Sequence, residues 1–561
     1  MKTNSPALFS IVLGLLALLF LPTASHAQLL VGAKEIYSRG DSLRGQLTPL
    51  RTCYDINYYH LNVRVDPDER YISGSNLFRF TATMDFDRLQ FDLFDNLRVD
   101  RVEYNGQDLP FTREYHAVFI DFPVTIPKDS QQEFTVYYSG HPVQAKRAPW
   151  DGGFDFKKDS NGKHWIATAC QGLGASVWWP NKDHQSDEVD SMMVSISVPH
   201  GLTNVSNGRF RGSEDLGDGY TRFNWFVSNP INNYNVAVNI GDYVHFSDSY
   251  EGENGTLDLD YWVLRENEEK AIPHLNHNVK TMLQAFEHWF GPYPFYEDGY
   301  KIIETAHLGM EHQSAIAYGN KYQNGYLGRD GSGSGWGHKW DFIVIHESGH
   351  EWFGNNITSN DLADMWIHEA FTNYSESLYI DYHFGKLAGQ EYLHGNRRGI
   401  QNQAPIIGTY HVNKEGSGDM YNKGGVMLNV VRTILNDDEK WRQILRGLNE
   451  EFFHSTVDYE DIVGYISEKS GINFWPVFEQ YVKNTGLPTL EVNFQEDGKV
   501  ACRWISEVPG FSMPVSIRAK GGEYQQVEVS NRMGLISVPG LTRDNFEVDT
   551  FNYYIGVLIN N

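Results

Sequence analysis

The sequence predicts a multidomain α+β protein with a β domain at each end and a mainly helical domain between them. Three observations predict it: apolar residues alternate with period two from about residue 45 to 265, helical spacing covers most of 340–485, and alternation resumes after residue 486. A chain of 561 residues with an apolar fraction of 41% is long enough for several ordinary cores. We place the three domains at residues 28–265, 266–486 and 487–561.

The N-terminal domain is predicted to be antiparallel. Tyr59, Leu61, Val63 and Val65 alternate with polar residues, which is the period of a half-buried strand. The same alternation returns at residues 89–93, 194–198, 236–240 and 257–263. Asn-Gly pairs, which favour tight turns, separate several of these runs.

The central domain is predicted from a change of period. A helix is expected over about His274–Phe290, and the pair Gly291-Pro292 terminates it. The Gly-rich stretch 325–337 predicts either a linker or a loop bordering a cleft. Strand-like alternation at residues 490–494, 515–517 and 527–529 then predicts the small C-terminal β domain.

Composition excludes some functions and leaves a soluble acidic protein. The chain has 46 basic and 72 acidic residues, a net charge of −26, which disfavours binding to nucleic acid or to an anionic membrane surface. The three cysteines, Cys53, Cys170 and Cys502, are too widely spaced for a CxxC metal site. We expect them to be buried as small apolar residues, with a single disulfide as the alternative.

The N-terminus predicts a secretory signal peptide over residues 1–27. Lys2 precedes an apolar run from Ala7 to Leu21, and small residues stand before a cleavage point ahead of Gln28. This almost wholly apolar run of fifteen residues is short for a membrane span, and no later stretch is a better candidate, so we expect no span in the mature chain. Two glycosylation sequons fall inside the metal motif below, which favours a bacterial periplasm or exterior as the location.

The segment from Ile343 to Phe353 contains the pattern His-Glu-x-x-His. On a helix, His346 and His350 share a face and can bind one Zn²⁺ per chain, while Glu347 lies beside them as a general base. A catalytic zinc needs a third protein ligand and an open position for water. Glu369, on the following helix, is the predicted third ligand.

Two neighbours of Glu369 leave alternatives open. His368 is a competing ligand, although Glu369 has the better spacing from the histidine pair. Glu376, two turns further along the same helix, either orients a ligand from behind or is a solvated carboxylate.

The extended motif, from His346 through Asn355 with Trp366 to Glu376, resembles the gluzincin zinc aminopeptidases, which include aminopeptidase N and a bifunctional leukotriene hydrolase. The resemblance covers about residues 45–485 and implies a saddle-like N-terminal β domain, a thermolysin-like catalytic domain and a β-sandwich-like third domain. It also implies a short form, because the chain ends in strand-like sequence where larger members continue into a helical domain.

The same resemblance implies roles for residues outside the zinc motif. The segment Leu308-Gly309-Met310-Glu311-His312 is similar to the family's Gly-x-Met-Glu-Asn loop, with two departures, and implies that Glu311 binds the substrate's free α-amino group, with Gly309 and Met310 beside it. Tyr421 stands in a Tyr-x-Lys-Gly segment whose tyrosine hydrogen-bonds the tetrahedral intermediate. Gln171 is the corresponding candidate for a second contact to the substrate amine.

These residues together predict a zinc aminopeptidase acting on peptides with a free N-terminus. An endopeptidase would use the same metal centre but has no need of Glu311. A leukotriene-type epoxide hydrolase shares the site, although an exported protein makes that substrate less suitable. A catalytically silent peptide-binding protein would be expected to have lost Glu347 or a ligand, and this chain retains them. The sequence leaves the side-chain preference and the oligomeric state open.

Overall fold

The fold is known from a computed structural model that describes residues 37–495 and 499–560. The chain divides into two compact units, residues 1–39 and 40–561, and nearly all described residues belong to the second. The predicted signal peptide and its cleavage point lie outside the described residues.

The helices concentrate between residues 268 and 483, with two short ones near the start. They are α1 (Arg39–Gly45), α2 (Pro49–Thr52), α3 (Glu268–Phe290), α4 (Phe342–Gly349), α5 (Trp366–Phe384), α6 (Lys386–Asn396), α7 (Asn422–Leu435), α8 (Asp438–Glu451), α9 (Tyr459–Ser470) and α10 (Trp475–Lys483).

The strands lie mostly before and after these helices. They are β1 (Tyr54–Asp66), β2 (Tyr71–Ala82), β3 (Phe86–Asp92), β4 (Leu97–Tyr104), β5 (Gln107–Asp108), β6 (Phe111–Glu114), β7 (Ala117–Ile126), β8 (Gln131–Gly140), β9 (Gly153–Lys158), β10 (His164–Ala169), β11 (Ser191–Pro199), β12 (Thr203–Val205), β13 (Arg209–Asp215), β14 (Tyr220–Val227), β15 (Asn239–Gly241), β16 (Tyr243–Gly252), β17 (Gly255–Leu264), β18 (Tyr300–Glu304), β19 (Gly309–Met310), β20 (Ile316–Tyr318), β21 (Ile357–Ser359), β22 (Ser455–Val457), β23 (Thr489–Phe494), β24 (Val500–Ile505), β25 (Val515–Ala519), β26 (Gln525–Val527), β27 (Gly534–Ile536), β28 (Phe546–Val548) and β29 (Gly556–Asn560).

The predicted α+β organisation, with strands first, helices next and strands again, is confirmed. The largest N-terminal sheet has the order β13-β14-β11-β1-β2-β8-β4-β5. Its pairs are antiparallel except β1 with β11, which run parallel because a long connection brings β11 back beside β1. In β1 the residues Tyr59, Leu61, Val63 and Val65 are buried, as their alternation predicts.

Two predicted elements begin elsewhere. The strand expected over 236–240 starts only at Asn239, because residues 233–235 form a 3-10 turn and lead into an extended but unpaired segment. Helix α3 begins at Glu268, six residues before the predicted start, and runs through Pro273. Pro273 is the sixth residue of the helix, so its missing N–H removes one intrahelical hydrogen bond, and Glu268 and Glu269 suit the positive end of the helix dipole.

A five-stranded sheet, ordered β16-β17-β18-β20-β19, continues across residue 265, the predicted first domain boundary. Strand β17 pairs in parallel with β18, and the short strand β19 forms the far edge. The domain boundaries therefore stay a prediction. This sheet matters for function because its edge strand β19, which contains Gly309 and Met310 and is followed directly by Glu311, contacts helix α4.

Helices α4 and α5 pack against each other in the interior, and most of their residues are buried. The C-terminal sheets, ordered β27-β24-β23-β29 and β26-β25-β28, share this core through residues such as Trp504 and Val492. All three cysteines are buried and free, as expected. Within the described residues, no helix combines the length and the apolar character needed to cross a bilayer.

Candidate active site

A cavity of about 540 Å³ opens where the N-terminal domain, β19, α4 and α5 meet. Every predicted site residue lines it: Gln171, Gly309, Met310, Glu311, His346, Glu347, His350, Glu369 and Tyr421. The Gly-rich stretch borders the same cavity through Tyr326 and Gly331, which agrees with a cleft loop rather than a linker.

Helix α4 is fixed at its start by a buried cap. The Asp341 carboxylate accepts hydrogen bonds from the backbone N–H groups of Ile343 at 3.0 Å and Val344 at 3.2 Å. Its other oxygen accepts from Tyr318 Oη and lies 2.7 Å from His274 Nε2. A side chain that satisfies the first N–H groups of a helix sets where the helix begins, and so where His346 and Glu347 point.

The predicted metal ligands come together. His346 Nε2 and His350 Nε2 lie 3.7 Å and 3.5 Å from Glu369 Oε2, and all three residues are buried. Ligand atoms at zinc distances around a tetrahedron are about 3.4 Å apart, so these separations suit one Zn²⁺. The buried Oε2 atom also has no hydrogen-bond partner among the described residues, as a metal ligand requires. The donor set therefore fits zinc.

The far side of each imidazole is hydrogen-bonded, which leaves Nε2 for a metal. His346 Nδ1 lies 2.7 Å from Glu376 Oε1, and His350 Nδ1 lies 3.0 Å from the carbonyl oxygen of Phe353. A proton on Nδ1 fixes the tautomer and the ring orientation of a ligating histidine. Glu376 also accepts from Tyr392 Oη at 2.6 Å, so it is a buried partner of a ligand and not a solvated carboxylate.

The Glu347 side chain packs against the backbone of strand β19 at Gly309. Burial raises the pKa of Glu347 to about 7; His346 lowers it and nearby Glu311 raises it. A carboxylate with a pKa near neutrality can both accept and return a proton. A Cβ atom on Gly309 would lie only 2.6 Å from Glu347 Oε1, so the backbone here approaches the carboxylate as closely as glycine allows.

Glu311 faces the same cavity from the end of β19. One oxygen each of Glu311 and Glu347 and a ring nitrogen of His350 all lie within 4.8 Å of one another. Tyr234 Oη donates to Glu311 Oε1 at 3.2 Å, and Asn355 Nδ2 donates to the Glu311 carbonyl at 2.9 Å. Burial raises the pKa of Glu311, so its ionised form calls for a cationic partner.

Tyr421 and Gln171 both contact the predicted metal ligand Glu369. Tyr421 Oη donates to Glu369 Oε1 at 3.0 Å, and Gln171 Nε2 donates to the same atom at 2.9 Å. The resemblance implied contacts to substrate, and the structure adds this second task to each residue. The competing ligand His368 does not join the set, because its Nε2 accepts the backbone N–H of Ser359 at 2.8 Å.

Sequence reasoning missed several contributors. Tyr234 comes from the N-terminal domain, in a segment without a motif, and only the tertiary fold brings it to Glu311. Asn355 was within the extended motif but had no role assigned. Glu415 and the exposed Trp150 also line the cavity, and neither stood out in the sequence.

Comparison with known proteins finds related peptidases. The peptidase family M1 domain matches residues 274–481, and the peptidase M1 N-terminal domain matches residues 55–234. Probable aminopeptidase 1 of Saccharolobus solfataricus is 20% identical over 416 residues, which are 71% of this chain and 50% of that protein. Aminopeptidase M1-A of Oryza sativa subsp. japonica is 25% identical over 323 residues, which are 55% of this chain and 35% of that protein.

This chain thus spans half or less of the length of these curated relatives. Among solved structures, it resembles an M1 zinc metallopeptidase from Deinococcus radiodurans, a glutamate-to-alanine variant bound to a Tyr-Ser-Ala substrate. The TM-score is 0.66 at 19% identity, and the match covers 78% of this chain and 95% of that one. The two chains share a fold.

Two histidines, one in helix α4 and one at its C-cap, and a glutamate from the next helix define the gluzincin class of zinc metallopeptidases, which the sequence resemblance indicates. Within that class the chain belongs to peptidase family M1, because both M1 domains match it in order and together cover more than half of its length.

Proposed function

We propose that the protein is a zinc-dependent aminopeptidase that hydrolyses the first peptide bond of peptides with a free N-terminus. The observation that carries the proposal is the buried Glu311 carboxylate beside Glu347 and His350. A carboxylate at a fixed distance from the metal binds the α-ammonium group and allows only the first peptide bond to reach the reaction centre. The names of the curated relatives support the same activity.

His346, His350 and Glu369 would hold one Zn²⁺, which supplies water activation and polarises the scissile carbonyl. Glu347, within 4.8 Å of His350 and Glu311, takes a proton from the attacking water on its carboxylate and later returns it to the departing amine. The single Tyr421 O–H, which donates to Glu369 Oε1 in this structure, turns from that oxygen to donate to the developing oxyanion. Glu311, with Gln171 opposite, holds the ammonium group in place.

The test is hydrolysis of aminoacyl p-nitroanilides (Ala, Leu, Met, Arg, Glu) beside their N-acetylated counterparts, before and after chelation and zinc add-back. We expect turnover of free amines alone, lost with the chelator and restored by zinc. Glu311→Gln should raise KM strongly. Tyr421→Phe should lower kcat by about 10²-fold with little change in KM, as for loss of one oxyanion donor.

The other outcomes point to the alternatives. Cleavage of acetylated substrates would make the protein an endopeptidase and remove the assigned role of Glu311. Binding of peptides without turnover, with zinc bound, would make it a silent binding protein.

Two further expectations belong to this proposal. We propose that the N-terminal sheets form the saddle-like domain of the family and that α4 and α5 form a thermolysin-like centre. We also propose export to a periplasm or exterior, on the pattern of residues 1–27. N-terminal sequencing of the protein recovered from the periplasm or medium tests export: a start at Gln28 supports it, and a start at Met1 refutes it.

A further inference from the structure

The cavity walls carry an excess of negative side chains. Five carboxylates line the cavity, and no Lys or Arg does so in the part of the chain that the structure describes. The five are Glu311, Glu347, Glu369, Glu376 and Glu415. Burying a carboxylate is unfavourable unless a hydrogen-bond donor or a cation compensates for the lost water. We therefore expect each of the five carboxylates to have a partner in the protein or in a bound ligand.

Four of these carboxylates are accounted for. Glu369 belongs to the ligand set, and Glu376 pairs with His346 at 2.7 Å. Glu311 accepts from Tyr234 and is assigned to the substrate ammonium group, and Glu347 is the proposed general base. Glu415 is the one of the five that has no assigned partner or role.

Glu415 has neither a hydrogen bond nor an ion pair within residues 37–495 and 499–560, although its side chain is only partly exposed. Its sequence neighbour Lys414 is exposed and acts on Glu415 through its charge, but forms no ion pair with it among the described residues. A half-buried carboxylate without a partner is an arrangement that a bound cation would complete.

The position of Glu415 places that cation beside the first residue of the substrate. A Cβ atom on Gly172, the residue after Gln171, would lie 3.6 Å from Glu415 Oε2. The two loops are joined, because Asn413 Nδ2 donates to the Gly172 carbonyl at 3.2 Å. Glu415 therefore stands on the wall that carries Gln171, whereas Glu311 approaches from β19. With the α-ammonium group held by Glu311, the cation left for Glu415 is the side chain of the same residue.

We propose that Glu415 is a specificity-determining residue that selects peptides whose first residue is Lys or Arg. The inference rests on the proposed aminopeptidase function and extends it to a substrate class. The absence of basic residues from the described cavity wall acts in the same direction, because nothing there would attract an acidic side chain.

The experiment compares substrates of equal shape and different charge: Lys against norleucine p-nitroanilide, and Arg against citrulline p-nitroanilide. For the wild type we expect kcat/KM to favour the charged member of each pair by about tenfold or more, as for one partly buried ion pair. Glu415→Gln should reduce that ratio to about one and leave the norleucine value unchanged. Glu415→Asp, which keeps the charge, should retain part of the preference.

Lys414→Gln is the matched control, since it removes a nearby charge of opposite sign outside the cavity lining. It should keep or slightly increase the preference for Lys and Arg. Thermal denaturation gives an independent readout: Glu415→Gln should be at least as stable as the wild type, because it removes an unpaired charge and no contact.

The results that overturn the assignment are distinct from those that overturn the function. Equal rates for Lys and norleucine in the wild type, or an unchanged ratio in Glu415→Gln, refute the role of Glu415. An equal loss on all substrates would refute it too, since Glu415 would then bind the common ammonium group. No turnover of any free aminoacyl substrate, Leu and Ala included, refutes the aminopeptidase function itself.

Discussion

Replacing Gly309 by alanine tests whether Glu347 acts as the base from its observed position. A Cβ atom there would lie 2.6 Å from Glu347 Oε1 and 2.9 Å from Ile343 Cγ2. Ordinary contact begins at 3.4 Å, so the carboxylate must retreat by about 0.8 Å. The retreat is feasible because Glu347 is a flexible side chain, whereas Ile343 is held in the core.

The expected loss is in kcat. A misplacement of about 1 Å in a reacting group costs on the order of 10²-fold, so we expect kcat to fall by roughly 50- to 100-fold. This fall corresponds to about 2.5 kcal/mol of transition-state stabilisation. Overpacking of the helix α4 contact should lower the free energy of unfolding by only about 1–2 kcal/mol.

The assay is steady-state hydrolysis of leucyl p-nitroanilide, with zinc content measured on the same preparations. Gly331→Ala is the matched control, because Gly331 lines the same cavity, has no positive φ, and a Cβ there meets nothing within 4 Å. Zinc content should be equal in both variants and the wild type. If Gly309→Ala keeps a kcat within twofold of Gly331→Ala, the position of Glu347 against β19 is not what the reaction uses.

Three further predictions concern carboxylates in or near the protein interior. Glu376→Ala should weaken zinc binding about 10- to 100-fold, measured by chelator competition, because His346 Nδ1 loses its acceptor. Asp341→Ala should lower the free energy of unfolding in urea by about 3 kcal/mol or more, since it leaves several buried donors unpaired, and Asp341→Asn should lower it less. Burial raises the pKa of Glu188 to about 8, above its unfolded value, so the native state favours the neutral carboxyl and the wild type loses stability as pH rises from about 5 to 8. Glu188→Gln should remove about 3 kcal/mol of that loss in urea titrations at the two pH values, and an equal slope in both proteins would contradict it.

The order of the domains and the ligand-bearing helices could be predicted because their signals are local. Alternation shows which residues of a strand are buried, and the i, i+4 spacing places His346 and His350 on one face of one helix. Local signals also explain the errors. Pro273 favours a helix boundary in the sequence, yet helix α3 begins at Glu268 and continues through Pro273. The alternation of apolar residues over 236–240 predicts a strand, although pairing with the neighbouring strands β10 and β12 begins only at Asn239.

The rest of the site depends on contacts between distant segments. Tyr234 reaches Glu311 across 77 residues of sequence, and Gln171 reaches Glu369 across 198. No periodicity or residue spacing in the sequence indicates either contact. Glu311 itself could be predicted only from the family resemblance, because a single glutamate just after a short buried strand has no sequence signature of its own. The Asp341 cap had a usable signal, an aspartate just before an apolar helix.

The two carboxylate oxygens of Glu369 have different contacts, and this difference affects how variants of the site must be interpreted. Oε2 faces the two imidazoles, while Oε1 accepts from Tyr421 and Gln171, so the carboxylate can offer the metal one oxygen only. Two donors on Oε1 also withdraw charge from the ligand and fix its rotation. A variant of either donor is therefore expected to change the proposed metal ligand as well as its own proposed contact to substrate. A fall in kcat in Tyr421→Phe therefore measures loss of the oxyanion donor only when zinc affinity, measured by chelator competition on the same variant, is unchanged.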